Sequence, residues 1–232
     1  MPVVTISGTS ASGAREVGQR VAYLLGVDFV DQQLMVQAAQ RCGVPVGALV
    51  QRDERSATMR QRISSAFNTL LERSGSSGAD SLTGATGLES ILSQTYADMA
   101  GLEKQTPISD KLYAETMETI IRELAAVGEI VILGRGSQMI LRDMPRAVHA
   151  LCISPANVRY QRLAERDEIG LEKARRHATE TDQARDAFYR KFWKVDVEDP
   201  KLYDMTLDTS RLGFEGAAEV VASAARLRVT AE

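Results

Sequence analysis

The chain has 232 residues, of which 44% are hydrophobic and 25% charged, so it can bury a sizeable core. Its formal net charge of −3 argues against a general binder of nucleic acid or membrane surfaces. Cys42 and Cys152 lack metal-ligand spacing, which predicts buried thiols, and His149 and His177 are too few for a histidine-rich metal site. Because no stretch has the length of a membrane span or the pattern of a targeting segment, we expect a cytoplasmic protein.

The chain opens with the strand, loop and helix order in which a phosphate-binding loop works. Residues 3–7 are apolar and rich in β-branched side chains, which predicts a buried strand. Val17, Val21 and Leu24 then recur at helical spacing. The loop between them has small side chains, which let backbone N–H groups surround a phosphate at the helix N-terminus: Gly8, Thr9, Ser10, Ala11, Ser12, Gly13 and Ala14.

This loop matches the standard phosphate-loop pattern only in part. Gly8 and Gly13 have the required separation, but Ala14 stands at the lysine position and Arg15 at the position of the Ser or Thr that binds magnesium. The residues therefore leave two interpretations open. One is a phosphate-binding loop, and the other is a tight turn that needs only the backbone freedom of glycine.

A second short strand is predicted at residues 27–30, and it ends at Asp31. A polar residue at the carboxyl end of a parallel strand is placed to contact a ligand. Asp31 would equally well cap the helix predicted at residues 32–41. Residues 50–110 lack strand signals, and a helical insertion on the substrate side is predicted at 31–110, with a mobile Gly/Ser-rich loop at 74–87.

The sheet signals resume after residue 110. An amphipathic helix is predicted at residues 111–127, and strands are predicted at 129–133, 147–153 and 204–207, before a final helix at 214–227. His149, inside the strand predicted at 147–153, is predicted to be a core or sheet-edge residue. The alternation of strands and helices predicts an α/β fold with a doubly wound parallel sheet, in one domain spanning residues 1–232.

Residues 157–195 form the most charged stretch of the chain. Arg159, Arg162 and Arg166 recur every three or four residues and share one helical face. The acidic residues of the same stretch allow the interpretation of an ordinary solvated face. The position of the stretch after a central strand favours a lid that closes over phosphates.

Four groups of residues, taken together and in order, resemble the cytidylate kinase-like family of P-loop nucleoside monophosphate kinases. The resemblance spans most of the chain and is weak at about 45–110. It lies in residues 6–7 with 12–18, residues 131–136 with 140–143, residues 181–185 with 188–189, 199–200 and 203–204, and residues 207–213.

The resemblance implies transfer of the γ-phosphate of ATP, with Mg²⁺, to a nucleoside monophosphate, CMP or dCMP above all. It also implies roles for individual residues. The catalytic set is Arg15, Arg135, Arg185 and Asp182. ATP would contact the loop from Gly8 to Arg15, together with Arg162, Arg166, Asp208 and Thr209. The acceptor would contact Asp31, Arg135 and Arg142.

Two departures from true cytidylate kinases bear on this interpretation. The loop lysine is missing, so we expect Arg15 to bend back over the loop and supply the cation. Gly136 stands where those enzymes usually have an acid after the arginine. Two alternatives therefore stay open: a nucleotide-binding regulatory or partner-docking domain that has lost phosphotransfer, and a P-loop kinase with a non-nucleotide acceptor.

Overall fold

The computed structural model describes residues 2–31 and 110–230. The predicted helix at 32–41 and the predicted loop at 74–87 lie outside these ranges, as does Cys42. The elements in chain order are β1 (Val3–Gly8), α1 (Ala14–Leu25), β2 (Asp28–Val30), α2 (Asp110–Val127), β3 (Ile130–Leu133), α3 (Ser137–Ile140), β4 (Ala147–Ile153), α4 (Ala156–Arg166), α5 (Leu171–Trp193), a 3₁₀ turn (Pro200–Leu202), β5 (Met205–Asp208) and α6 (Thr209–Thr230).

The strands of the described ranges form one parallel sheet in the order β2-β3-β1-β4-β5. β1 lies at its centre, with Val3 in register with Ile130 of β3 and with Ala147 of β4. Chain order reverses on either side of β1, so the loop that follows β1 opens into a crevice at the carboxyl edge of the sheet. The predicted α/β fold with a doubly wound parallel sheet is confirmed.

The sheet is buried on both faces because its strands are apolar at successive positions. Val4 and Ile6 of β1 pack with Val17 and Val21 of α1 and with α6 on one face. Val3 packs on the other face with Ile121 of α2 and the flanking strands. Two helical layers thus fix β1 and the start of α1, between which the loop runs.

Helix α5 has two ends with different surroundings. Near its beginning, Ala174 and Ala178 pack with Leu163 of α4. Near its end, Phe188 and Tyr189 join a second apolar cluster with Met139 and Val197. The predicted lid segment at 157–195 therefore forms two helices, and the second is anchored in the body of the protein.

Two predictions from the sequence are refined by the structure. The final helix begins at Thr209 rather than at 214, and its backbone leaves helical geometry at Gly213, where φ is 68°. His149 is buried in β4, with its Nδ1 atom 2.7 Å from the Thr5 hydroxyl of β1, so it is a core residue rather than an edge residue. Burial raises the pKa of the Cys152 thiol to about 12, which makes it an unreactive core group.

Candidate active site

The loop after β1 has the shape of an anion-binding loop. The Ser12 N–H donates a hydrogen bond to the Thr9 carbonyl at 3.0 Å, and the chain then turns into α1 at Gly13. Gly13 has a φ of 87°, and a Cβ there would lie 2.3 Å from the Phe214 ring of α6. Glycine is therefore required at this position by both backbone conformation and space. The turn brings the first N–H groups of α1 to the carboxyl edge of the sheet.

Helices α4 and α5 are docked on the tip of the loop. The Ser10 N–H donates to Asp182 Oδ1 at 2.8 Å. Arg159 donates to the Ser10 carbonyl at 2.9 Å and to Asp182 Oδ2 at 2.7 Å, and its side chain is only 11% exposed. The Ala11 side chain packs on the apolar cluster around Leu163 between the two helices. Charged hydrogen bonds and an apolar contact thus hold the loop against the lid segment.

A second connection reaches the end of the loop from α4. Arg162 donates to Thr209 Oγ1 at 2.9 Å and to the Thr209 carbonyl at 3.3 Å. The Thr209 hydroxyl donates in turn to the Ser12 carbonyl at 2.6 Å. The Arg162 guanidinium also lies 4.7 Å from the centroid of the Phe214 ring. Arg162 and Phe214 therefore form a cation–π contact next to the loop.

Two nearly buried guanidiniums lie at the carboxyl ends of the neighbouring central strands β1 and β3. Arg185 of α5 is 7% exposed, and it donates to the Ser7 hydroxyl of β1 at 3.1 Å. Arg135 follows β3 after Gly134, is 3% exposed, and has a φ of 58°, which is uncommon for a residue other than glycine. Strain of this kind at the mouth of a crevice is typical of functional residues.

Tyr189 connects the surroundings of these two arginines. Its hydroxyl accepts a hydrogen bond from the Gly136 N–H at 3.1 Å, next to Arg135 in the chain. Its ring centroid lies 6.0 Å from the Arg185 guanidinium. Gln138 extends the network by donating to the hydroxyls of Tyr189 and Tyr203, at 3.0 and 3.1 Å. This buried polar network fixes the chain segment that carries Arg135.

The pKa of Tyr203, which belongs to the same network, is raised. Burial disfavours the phenolate and is the main cause, while hydrogen bonding with Ser7 and the charge of Arg185 act in the opposite direction. Tyr203 therefore remains a hydroxyl donor, and it donates to the Val197 carbonyl at 2.7 Å. Its role is to support the site rather than to accept protons.

Arg15 lies on the other side of the loop, in the first turn of α1. Its Nη2 atom is 2.7 Å from Asp31 Oδ2, at the carboxyl end of β2. The Asp31 side chain is 8% exposed and that of Arg15 is 37% exposed. We expected Arg15 to bend back over the loop, but the structure places its guanidinium on Asp31.

Comparison with known proteins identifies the family. The profile of the cytidylate kinase-like family matches residues 3–211. The chain belongs to the cytidylate kinase-like family. A protein of Natronomonas pharaonis named cytidylate kinase is 28% identical over 67% of this chain and 88% of its own length. Another of that name from Aeropyrum pernix is 26% identical over 58% of this chain and 75% of its own length.

One solved structure supports the fold. An uncharacterized protein from Eubacterium ventriosum superimposes with a TM-score of 0.64 over 97% of this chain and 98% of its own, at 16% identity. With the family assignment, the predictions of a P-loop kinase fold and of a phosphotransferase of the nucleoside monophosphate kinase class are confirmed. Kinases of this class use ATP and a divalent metal ion in general.

Three residues that the family resemblance assigned to the site have other surroundings in the structure. Arg166 pairs with the adjacent Asp167 at 2.9 Å. Arg142 is exposed and pairs with Asp143 at 3.4 Å, in the segment that leads from α3 back to the start of β4. Asp208 is half-buried at the end of β5, and hydrogen bonding from the Ser210 hydroxyl lowers its pKa. Its neighbour Thr209 faces the loop instead.

The sequence interpretation did not assign Arg159 to the site, although it noted that Arg159 shares a helical face with Arg162. That shared face was the available signal. The structure explains the glycine at position 136, since a Cβ there would lie 2.1 Å from the Trp193 indole and φ is 72°.

Within residues 2–31 and 110–230, no three His, Cys, Asp or Glu side chains are grouped so as to hold a metal ion. In the same ranges no helix has the length and hydropathy of a membrane span.

Proposed function

We propose that the protein transfers the γ-phosphoryl group of ATP to a nucleoside monophosphate, and that CMP and dCMP are its preferred acceptors. The observation that carries the proposal is the pair of nearly buried guanidiniums, Arg135 and Arg185, beside an anion-binding loop at the carboxyl edge of the sheet. Buried cations at a switch point of a parallel sheet are suited to bind phosphate groups.

In this proposal the loop holds the phosphates of ATP. The backbone N–H groups from Gly8 to Ala14 and the N-terminus of α1 provide hydrogen-bond donors and partial positive charge. Arg162 and Thr209 lie at the end of the loop, where the adenosine part would leave it. Mg²⁺ would arrive bound to the phosphates of ATP and offset their charge.

Arg135 and Arg185 would bind different phosphate groups. Arg135 follows a central strand, so its backbone is fixed and it would bind the acceptor phosphate. Arg185 contacts Ser7, the residue directly before the loop, and would stabilise the charge that develops on the transferred group. Preorganised cations of this kind act without rearrangement at the moment of reaction.

Asp182 and Arg159 have a positioning role in this proposal. The Asp182 carboxylate accepts from the Ser10 N–H and from Arg159, so it holds the lid segment on the loop. Closure of α4 and α5 over the loop would exclude water from the transferred phosphoryl group.

Support for CMP or dCMP as acceptor comes from the relatives, whose printed names are cytidylate kinase. At 26–28% identity these names guide the choice of substrate for an assay. The alternative of a nucleotide-binding domain without phosphotransfer is favoured by the absence of a lysine from the loop. The loop carries Ala14 in place of lysine, and Arg15 contacts Asp31.

An acceptor screen distinguishes the two functions. Purified protein is mixed with ATP and MgCl₂ and with each common nucleoside or deoxynucleoside monophosphate, and ADP is measured. We expect ADP formation to depend on the acceptor and to be fastest with CMP or dCMP. ATP binding without acceptor-dependent ADP formation would instead establish the binding domain.

Arg135→Ala tests the acceptor site within the same assay. The substitution removes no apolar side chain from the core, so the variant is expected to fold. Loss of one charge-assisted hydrogen bond costs about 1.5–3 kcal/mol, which raises the KM for the acceptor about 10- to 150-fold. Arg122→Ala is the matched control, because Arg122 is an exposed arginine paired with Glu118 on α2. A variant that unfolds but keeps normal activity per folded molecule would make Arg135 a structural residue.

A further inference from the structure

The Arg15–Asp31 ion pair stands where a phosphate loop usually provides its metal ligand. In the standard loop the residue two positions after the second loop glycine is Ser or Thr, and its hydroxyl binds Mg²⁺. Here that position, two residues after Gly13, is Arg15. A guanidinium has donors only and a permanent positive charge, so it cannot coordinate a cation.

The partner of Arg15 reinforces this difference. Asp31 directly follows β2, and its buried carboxylate approaches the first turn of α1 to within 2.7 Å of Arg15. A carboxylate at this place would attract a divalent cation if it were not paired. With the guanidinium in contact, the two charges largely cancel, and a metal ion entering between them would be repelled by Arg15.

We propose that the Arg15–Asp31 pair replaces the metal contact of the standard loop. Asp31 is neutralised by the guanidinium, and the protein binds the phosphates of a nucleotide almost equally well with and without a divalent ion. The metal site of the standard phosphate loop therefore does not fit this chain. The inference rests on the proposed function insofar as the loop binds a nucleotide.

The test is a calorimetric titration with ADP, in excess MgCl₂ and in EDTA. For the unmodified protein we expect the two dissociation constants to differ by less than about threefold. Arg15→Ser exposes the Asp31 carboxylate to the phosphates and restores a hydroxyl at the metal position. In EDTA it should bind ADP at least about tenfold more weakly than in MgCl₂, because the carboxylate repels the metal-free phosphates.

Two further variants identify the cause. The double variant Arg15→Ser/Asp31→Asn removes the carboxylate but keeps the new hydroxyl, so its metal dependence should be smaller than that of Arg15→Ser. Arg20→Ser is the matched control, since Arg20 is an arginine of the same helix that pairs with Glu215 on α6. It should leave the ratio of the two dissociation constants unchanged.

The possible failures are distinguishable. A tenfold metal dependence in the unmodified protein, unchanged by Arg15→Ser, would overturn the inference and leave the proposed function standing. Absence of ADP binding by the unmodified protein in both solutions would overturn the proposed function and the inference with it. If Arg15→Ser does not fold, Arg15→Lys keeps the cation and must bind ADP equally with and without metal, and a tenfold dependence there would overturn the inference.

Discussion

The two sides of the phosphate loop differ in how their arginines are used. On the α1 side, Arg15 contacts an acid and lies in the loop's own helix. On the α4 and α5 side, Arg159, Arg162 and Arg185 come from distant parts of the chain, and each contacts the loop or a residue next to it. In a standard loop, the lysine that serves the phosphates is part of the loop itself.

This difference explains how a loop without lysine can belong to a kinase. In the proposed function, positive charge beside the phosphates would be supplied by helices α4 and α5, so it would be in place only when those helices are docked. The contacts of Ser10 with Asp182 and Arg159 hold the two helices on the loop in the structure. Under this proposal the same helices would both cover the site and complete it.

The largest effect is expected from Arg185→Ala. If charge is supplied from the α5 side, the variant loses the cation next to Ser7, and cations in this role are worth about 10³–10⁵ in rate. We expect kcat for acceptor-dependent ADP formation to fall at least about 10³-fold. Arg190→Ala is the control on the same helix, because Arg190 is exposed and pairs with Asp186. A loss smaller than tenfold would mean that Arg185 only supports the fold.

Gly136→Asp restores the acid usual in true cytidylate kinases and tests how tightly α5 is anchored. A side chain at this position would clash with Trp193, and the backbone φ of 72° is unfavourable for any residue other than glycine. We expect the free energy of unfolding to fall by about 2–4 kcal/mol, measured in urea. Gly170→Asp is the control, since a Cβ there meets nothing within 4 Å and Gly170 caps α5 with an extended backbone. Equal stability of the two variants would contradict the close packing of α5 on the loop after β3.

Arg159→Met tests whether the contacts of Arg159 hold helices α4 and α5 on the phosphate loop. The substitution keeps the apolar stem of the side chain and removes its bonds to Ser10 and Asp182. At about 1.5–3 kcal/mol for the charged contact, amide exchange of Ser10 should accelerate about 10- to 150-fold. Arg176→Met, at an exposed position of α5, should leave this exchange unchanged. Unchanged Ser10 exchange in Arg159→Met would show that the ion pair does not hold the lid.

The smallest effect concerns β4, the strand next to β1 on the lid side of the loop. Burial lowers the pKa of His149. The charge of Asp204 and a hydrogen bond with the Leu141 backbone act in the opposite direction, and the charge of Arg228 lowers this pKa further. A histidine with a lowered pKa stabilises the fold above its unfolded pKa near 6.5, and this stability is lost as pH falls toward the folded pKa. His149→Gln should weaken the fall in stability below about pH 6.5. A pH profile of stability unchanged from that of the unmodified protein would contradict the assignment.

The fold was largely predictable because its strands are short, apolar and separated by helical periodicity. The sequence also placed Asp31 and Arg135 near the ends of two strands, and the structure has both at the carboxyl edge of the sheet, since parallel strands bring their ends to one edge. The loop was identified by its two glycines, even though Ala14 and Arg15 break the pattern. These signals are local in sequence and need no knowledge of packing.

The contacts between distant segments were not predictable from the residues alone. Arg15 reaches either the loop or Asp31 from the same backbone position, and only the approach of β2 to α1 decides between them. The pairing of Ser10 with Asp182 joins residues more than 170 positions apart. Gly136 is required by Trp193, which no local pattern connects with it.

The central claim is that this loop supports phosphoryl transfer with cations from outside the loop. The most direct measurement mixes the protein with ATP labelled in the γ-phosphate, MgCl₂ and CMP, and follows the label over a single turnover. We expect the label to appear in CDP with the unmodified protein and to remain in ATP with Arg185→Ala. Label released as inorganic phosphate, or retained in ATP by folded unmodified protein with every monophosphate, would contradict the account.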